Sequence, residues 1–205
     1  MAAPSFKYRT IETSGESMYR VMASKHLGFA CHVRSEAEIK GLLEEWWKEH
    51  HNANHICYAW RLGWDKQRYR INDDGEPSGT AGKPIYGQIL AADLTNVLVA
   101  VVRYFGGTKL GTGGLIDAYK TAAAQAIQSA VICEREALQQ IDLEFPYERM
   151  PAVMKMLKQW DMEKLDAHMD AICTLKIALT GSHTADFETW AADQEDIKYQ
   201  KGTFY

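Results

Sequence analysis

Residues 73–84 read Asp-Asp-Gly-Glu-Pro-Ser-Gly-Thr-Ala-Gly-Lys-Pro, and residues 101–115 read Val-Val-Arg-Tyr-Phe-Gly-Gly-Thr-Lys-Leu-Gly-Thr-Gly-Gly-Leu. Both stretches mix glycines with charged and hydroxyl side chains, which is typical of a structured loop. The second stretch follows a β-branched run at 96–102 and precedes a helical pattern of apolar residues. It therefore predicts a buried strand, a glycine loop and a helix in succession. We call 73–84 the first glycine segment and 103–114 the second.

The first glycine segment has two interpretations. Ser78 or Thr80 is expected to cap the helix that follows, and a helix N-terminus among glycines offers free N–H groups to a phosphate. The carboxylates of Asp73, Asp74 and Glu76 would repel a phosphate unless a divalent cation lay between them. Alternatively, the Asp-Gly and Pro-Ser-Gly sequences are turn formers that need no ligand. The residues alone leave both possibilities open.

The second glycine segment resembles two nucleotide-binding loops without matching either. Gly106 and Gly111 have the spacing of the two P-loop glycines, but Thr112 stands where that motif has lysine. Gly111 and Gly113 begin a dinucleotide fingerprint, but Ile116 occupies the position of its third glycine. These differences argue against both ATP hydrolysis of the Walker type and Rossmann-type binding.

What remains is a glycine-rich turn with Arg103 and Lys109 at its margins and Tyr104 available for stacking. Such a turn suits a phosphate or an RNA backbone. The alternative is that the glycines only let strand and helix pack closely.

The rest of the chain predicts an α+β fold in two domains, residues 1–136 and 137–205. A capping box at 35–38 begins a helix that runs to about residue 50, and paired strands follow at 58–62 and 68–71. From Leu138 onward, alternating and helical patterns follow each other in the order β-α-β-β-α-β, which is ferredoxin-like.

The composition narrows the function classes. The 205 residues carry a net charge of −4 without a basic tail, which disfavours duplex binding by bulk charge. There is no apolar run long enough for a membrane span and no signal-peptide pattern at the start, and the four cysteines have no zinc or redox spacing. We therefore expect a cytoplasmic location, no membrane partner, no cofactor and no metal, and we assign no catalytic residue.

The two glycine segments resemble the signature of the YigZ/IMPACT family in order and spacing. His55, Cys57 and Ala59 fit the upstream His-x-Cys-x-Ala element of that family. Ser24 and Lys25 fit the start of its first block; the family has an aromatic at the next position, where this chain has histidine.

The resemblance implies an N-terminal domain like domain IV of the elongation factor EF-G, with a left-handed βαβ crossover, and a ferredoxin-like C-terminal domain like EF-G domain V. It also implies a link to translation, because eukaryotic relatives regulate it through a protein partner that controls an initiation-factor kinase. The two-domain layout looks bacterial.

Three functions are therefore considered. The favoured one is a non-enzymatic, translation-linked regulator that binds RNA or a ribosomal component. The alternatives are a metal-assisted enzyme acting on a small phosphorylated or peptide substrate, and a pure protein-binding module; the oligomeric state is left open. The residues expected to form a ligand or nucleic-acid surface are Asp73, Asp74, Gly75, Glu76, Ser78, Gly79, Thr80, Gly82, Lys83, Arg103, Tyr104, Gly106, Gly107, Lys109, Gly111, Thr112, Gly113, Gly114 and Lys120, and the upstream element adds Ser24, Lys25, His55 and Cys57.

Overall fold

A computed structural model describes residues 6–204 of the chain. These residues divide into two compact units, one of them Tyr8–Arg135 and the other formed by 136–204 together with residues 6 and 7. The elements in chain order are β1 (Lys7–Thr13), β2 (Gly15–Val21), β3 (Ser24–His32), α1 (Glu36–Glu49), β4 (His55–Leu62), β5 (Arg68–Asn72), α2 (Gly82–Ala91), β6 (Val97–Tyr104), α3 (Gly111–Ser129), β7 (Val131–Glu136), β8 (Leu138–Pro146), α4 (Met150–Gln159), β9 (Glu163–His168), β10 (Ile172–Thr180), α5 (Thr184–Ala192) and β11 (Lys198–Phe204). The predicted α+β fold class is confirmed.

The first unit is built on a five-stranded sheet in the order β2-β3-β6-β4-β5, and β6 is its central strand. This strand is buried along almost its whole length, because helices cover both faces of the sheet. Val97, Val99 and Val101 pack with α2 and α3 on one face. Leu98 and Ala100, together with their neighbours on β4, face α1 on the other. The β-branched run in the sequence thus marks the two-sided core, as predicted.

The connections of this sheet require one left-handed crossover. Both β3-α1-β4 and β5-α2-β6 join parallel strands that are separated by one antiparallel strand. The two crossovers run in opposite strand directions and in opposite senses across the sheet, and their helices cover opposite faces. Reversing any one of these three features inverts the handedness of a crossover. Because all three are reversed, the two crossovers have opposite hands. One of them therefore breaks the usual right-handed rule.

Helix α3 lies unusually close to the sheet because glycines face it. A Cβ on Gly28 of β3 would lie 2.6 Å from the carbonyl oxygen of Ala122, and one on Gly15 of β2 would lie 2.2 Å from that of Ala126. Small residues on both elements therefore allow the helix backbone to rest almost directly on the strands.

The second unit has the predicted ferredoxin-like topology. Its antiparallel sheet has the order β11-β8-β10-β9, which is the 4-1-3-2 arrangement of a β-α-β-β-α-β fold. One face of the sheet packs against α4 and α5 through a core that includes Phe145, Met156, Ile177 and Phe187. The other face carries charged and polar side chains.

Strands β1, β2, β3 and β7 are additions to the predicted elements, and β1 pairs with β7 as a separate two-stranded sheet. The four cysteines are free thiols. Within residues 6–204, no helix combines the length and the apolar character needed to cross a membrane.

Candidate functional site

A row of three polar residues crosses the sheet of the first unit. Arg103, near the end of β6, lies opposite His26 on β3 and opposite His55 on β4. The side chain of Arg103 lies on the face of the sheet that carries α2 and α3, because residues of a strand alternate between faces and Val101 packs on that side. The apolar core therefore ends in a polar layer where the two glycine segments meet the sheet.

Glu76 of the first glycine segment covers this row. Its Oε1 accepts hydrogen bonds from Nη1 of Arg103 at 2.5 Å and from the Tyr119 hydroxyl of α3 at 2.7 Å. His55 Nε2 lies 3.9 Å from the same oxygen. The side chains of Glu76 and Arg103 are only 4% and 7% exposed, so this pair is a buried salt bridge. It connects the first glycine segment to β6 and α3.

His26 is fully buried, and neither ring nitrogen has a hydrogen-bond partner within residues 6–204. Its ring meets that of Tyr119 edge-on, with the centroids 5.4 Å apart. Burial, reinforced by the charge of Arg103 and opposed by that of Glu76, lowers the pKa of His26 to about 4. At neutral pH the uncharged imidazole therefore packs as an aromatic ring.

Cys57 and Tyr119 lie in the same layer without reactive character. Burial raises the pKa of the Cys57 thiol, whose Sγ lies 3.0 Å from the carbonyl oxygen of Asp73. Burial, with Cys57 and Glu76 as neighbours, raises the pKa of Tyr119. Because a nucleophilic cysteine needs a lowered pKa, the environment of Cys57 indicates a structural thiol.

Asp73 organises the first glycine segment from within. Its Oδ1 accepts hydrogen bonds from the backbone N–H groups of Ala81 and Gly82, and its Oδ2 accepts one from Gly79. Burial raises the pKa of Asp73, but these three hydrogen bonds outweigh it and leave the pKa below its ordinary value. The N–H groups at the start of α2, which the sequence offers to a phosphate, are therefore occupied by this carboxylate.

The neighbouring polar groups are used internally as well. Asp74 Oδ2 accepts from the N–H of Ile56 at 2.6 Å, and the hydroxyl of Thr80 donates to the Pro77 carbonyl. Helix α2 begins without a side-chain cap at its own N-cap position, so the prediction that Ser78 or Thr80 caps it is wrong. The cap comes instead from Asp73, at longer range.

The second glycine segment is anchored at one point and open beyond it. A Cβ on Gly106 would lie 2.1 Å from the backbone of Ala23, and the N–H of Gly106 donates to Ser24 Oγ. Gly107 and Gly111 adopt φ values of 87° and 70°, which favour glycine, and added Cβ atoms there would meet nothing within 4 Å. Gly106 therefore joins the segment to β3, whereas the following residues face open space.

The two glycine segments line one open cleft of about 480 Å³, which we call the glycine cleft. The lining residues among those predicted from the sequence are His55, Glu76, Arg103, Lys109, Gly111 and Thr112. The lining residues that sequence reasoning missed are Asn54, Pro77, Phe105, Leu110 and Leu115.

Tyr104 lies away from the glycine cleft. Its ring packs with the α1 side of the sheet, its hydroxyl is 3.0 Å from His50 Nδ1, and Lys25 Nζ lies 5.5 Å from its centroid. Phe105, which is 43% exposed, is the aromatic residue that lines the cleft. The alternation of a strand could have predicted this difference. Arg103 faces the cleft, so the next residue, Tyr104, faces the opposite side and Phe105 returns to the side of the cleft.

The remaining predicted surface residues are outside the lining. Gly75, Ser78, Lys83, Gly113 and Lys120 are exposed, and Gly114 is partly buried on α3. Asp73, Asp74 and Glu76 each bind their own partners rather than a common point, and no group of three potential metal-binding side chains occurs within residues 6–204. The divalent-cation arrangement considered for the first glycine segment does not form.

Comparison with known proteins identifies the relatives of this chain. The model of the Impact N-terminal domain matches residues 22–127. The chain is 32% identical over 175 residues to the IMPACT family member YigZ of Escherichia coli strain K12, covering 84% of this chain and 86% of that protein. It is 28% identical over 201 residues to the IMPACT family member YvyE of Bacillus subtilis strain 168, covering 96% and 93%.

A solved structure described as a hypothetical protein matches this chain with a TM-score of 0.76 and 28% sequence identity. The match covers 96% of this chain and 97% of the chain in that structure. The Saccharomyces cerevisiae Protein IMPACT homolog is 33% identical over 91 residues, which are 43% of this chain and 35% of that protein. The matched domain contains both glycine segments and the whole glycine cleft. The chain therefore belongs to the IMPACT family.

Proposed function

We propose that this chain is a translation-linked regulator without catalytic activity of its own, and that its Tyr8–Arg135 unit binds RNA or a ribosomal component through the glycine cleft. The observation that carries the proposal is that the two glycine segments converge on one open cleft. Lys109 and the N-terminus of α3 give that cleft a positive side, whereas the charge of Arg103 is balanced by Glu76. Family membership supplies the link to translation.

An enzymatic function has less support because the carboxylates are already engaged. A general base must be free to accept a proton, whereas the Glu76 carboxylate is held by Arg103 and Tyr119. Asp73 and Asp74 hold backbone N–H groups. A protein-binding module would use the same surface. The two functions differ in the partner that binds there: RNA or a ribosomal component in one case, and a ribosome-free protein in the other.

Ribosome cosedimentation tests the proposal. Lys109→Glu reverses an exposed charge in the cleft, and Lys40→Glu makes the same change on α1, on the other face of the sheet. We expect Lys109→Glu to reduce the fraction that pellets with ribosomes and Lys40→Glu to leave it near the parent value. Arg103→Ala is unsuitable, since it would leave the buried Glu76 without its cation. Equal pelleting of both variants and the parent, or capture of ribosome-free proteins alone, would contradict the proposal.

A further inference from the structure

The glycine cleft has two chemically different walls. Phe105, Leu115 and Pro77 contribute apolar surface, whereas Lys109 and the first residues of α3 contribute positive charge and N–H donors. Ligand pockets typically have volumes of about 300–1,000 Å³, so the cleft is large enough for a small ligand. A ligand that fits both walls needs a flat apolar part joined to an anion.

The polar wall is centred on the N-terminus of α3. This helix spans 19 residues, and its N-cap residue, Leu110, provides no side-chain cap. The first N–H groups of a helix have no acceptor within the helix, and the helix dipole favours a negative group there. Lys109, which is exposed, lies immediately before this end. This end of the cleft is therefore suited to a phosphate.

Arg103 provides an independent indication of a ligand. It is 94% buried and lines the cleft, and its Nε has no hydrogen-bond partner within the part of the chain that the structure describes. A guanidinium carries five N–H donors, and Glu76 is bonded to Nη1. Nε is itself enclosed by protein, so an anion in the cleft would meet the Nη donors of Arg103 that Glu76 does not use.

Phe105 provides the apolar wall with a stacking surface. Its ring is 43% exposed, and the Arg103 guanidinium carbon lies 5.6 Å from its centroid. Exposed aromatic rings beside cationic groups are the usual platforms on which proteins stack unpaired bases. A base in a duplex has both faces covered by its neighbours, so only an unpaired base offers this surface.

We infer that the glycine cleft accepts one unpaired nucleotide of RNA, with its base stacked on Phe105 and its phosphate at the N-terminus of α3 beside Lys109 and Arg103. This inference rests on the proposed function and specifies its ligand. The net charge of −4 agrees with a single-nucleotide site, because a long duplex interface requires a basic stripe.

Fluorescence anisotropy tests the inference. The probe is a labelled RNA of ten uridines, used as a single strand and as a duplex with its complement. Phe105→Leu keeps the apolar character and removes the stacking ring, and Tyr147→Leu is its control on an exposed ring of the other unit, which is 61% exposed. Lys109→Ala removes the charge beside α3, with Lys40→Ala as its control.

We expect the parent to bind the single strand more tightly than the duplex. Phe105→Leu should weaken single-strand binding about tenfold, in line with the contribution of one stacked base. Lys109→Ala should reduce the slope of log affinity against log salt by about one. Both controls should bind like the parent.

The outcomes separate this inference from the proposed function. Unchanged single-strand binding by Phe105→Leu, or tighter binding of the duplex, would overturn the nucleotide site while leaving RNA binding intact. Ribosome cosedimentation that depends on Lys109 without binding of either RNA would also overturn it, and would assign the cleft to a ribosomal protein. If the parent protein bound neither ribosomes nor RNA, the proposed function itself would be overturned.

Discussion

The two glycine segments are similar in composition but use their polar groups in opposite ways. In the first segment, Asp73, Asp74 and Glu76 point back into the protein, where they bind backbone N–H groups and a buried arginine. In the second, Lys109 and Thr112 are exposed beside glycines that face open space. The first segment therefore forms a rigid support, and the second presents the surface that this support holds in place.

Removal of the anchor of the first segment is expected to destabilise the protein most. Glu76→Gln keeps the shape of the side chain but leaves Arg103 buried without a counter-charge. Removing one partner of a buried pair costs about 3–5 kcal/mol, so the free energy of unfolding should fall by that amount in urea titrations.

The matched control is Glu36→Gln, which breaks the exposed pair with Arg68 at 2.6 Å. Exposed pairs contribute about 0–1 kcal/mol, so this variant should stay close to the parent. Equal losses in the two variants would mean that Glu76 does not anchor the segment.

The next largest effect concerns Asp73. Asp73→Asn removes one of the two acceptor oxygens and the negative charge at the start of α2, which should lower the free energy of unfolding by about 2 kcal/mol at pH 7. Because the pKa of Asp73 is lowered in the folded state, its stabilisation is present above the ordinary value of 3.8 and is lost as pH falls through the folded pKa. The gap between parent and variant should therefore narrow in acid.

Asp117→Asn, at an exposed position on α3, serves as the comparison in the same urea titrations. Its effect should be within about 0.5 kcal/mol at every pH, as for ordinary surface positions. A gap for Asp73→Asn that widened as the pH fell would contradict the role assigned to the carboxylate.

An element of this fold can be predicted from the sequence when its pattern lies within the element itself, and not when it depends on residues far away in the chain. The central strand, α1, α3 and the ferredoxin-like order follow from periodicity within each element. Strand β3 does not, because its core-facing positions are Ser24, His26, Gly28 and Ala30. These positions carry small residues, which let α3 approach closely, and a histidine of the polar row. The strand therefore lacks the alternating apolar residues by which a strand is recognised in a sequence.

The site divides in the same way. The glycines and charges of both segments are visible in the sequence, and five of the segment residues predicted for the surface line the cleft, together with His55 of the upstream element. That Asp73 turns inward depends on N–H groups six to nine residues further along the chain. That Glu76 pairs with Arg103 depends on the topology of the sheet. Both facts involve tertiary partners that no local pattern specifies.

His26 offers a pH-dependent test of the support beneath the cleft. Its pKa is lowered to about 4 in the folded protein from an ordinary 6.5, so the unfolded chain binds more protons between these values. Stability should therefore fall as the pH is lowered from 6.5 towards 4, by up to about 1.4 kcal/mol per pH unit.

His26→Phe keeps an aromatic ring at this position and removes the titration. The variant should match the parent to within about 1 kcal/mol near pH 7.5 and exceed it in stability at pH 5, as measured by urea titration at both values. His168→Phe, at an exposed position on β9, controls for loss of a histidine. A stability difference between parent and His26→Phe that was the same at both pH values would show that His26 does not remain neutral in the folded protein.

The last pair of variants compares one glycine from each segment. Gly82 and Gly113 both lie in the first turn of a helix, but a Cβ on Gly82 would be 2.4 Å from Ile71 Cγ2, whereas one on Gly113 would meet nothing within 4 Å. Gly82→Ala should therefore cost about 1–3 kcal/mol through overpacking. Gly113→Ala should stabilise the protein by about 0.5–1 kcal/mol, because alanine loses less backbone entropy in a helix. Thermal unfolding of the two variants beside the parent measures both shifts. If Gly113→Ala lowered the melting temperature as Gly82→Ala does, the start of α3 would be packed as closely as the start of α2, contrary to the openness assigned to the second segment.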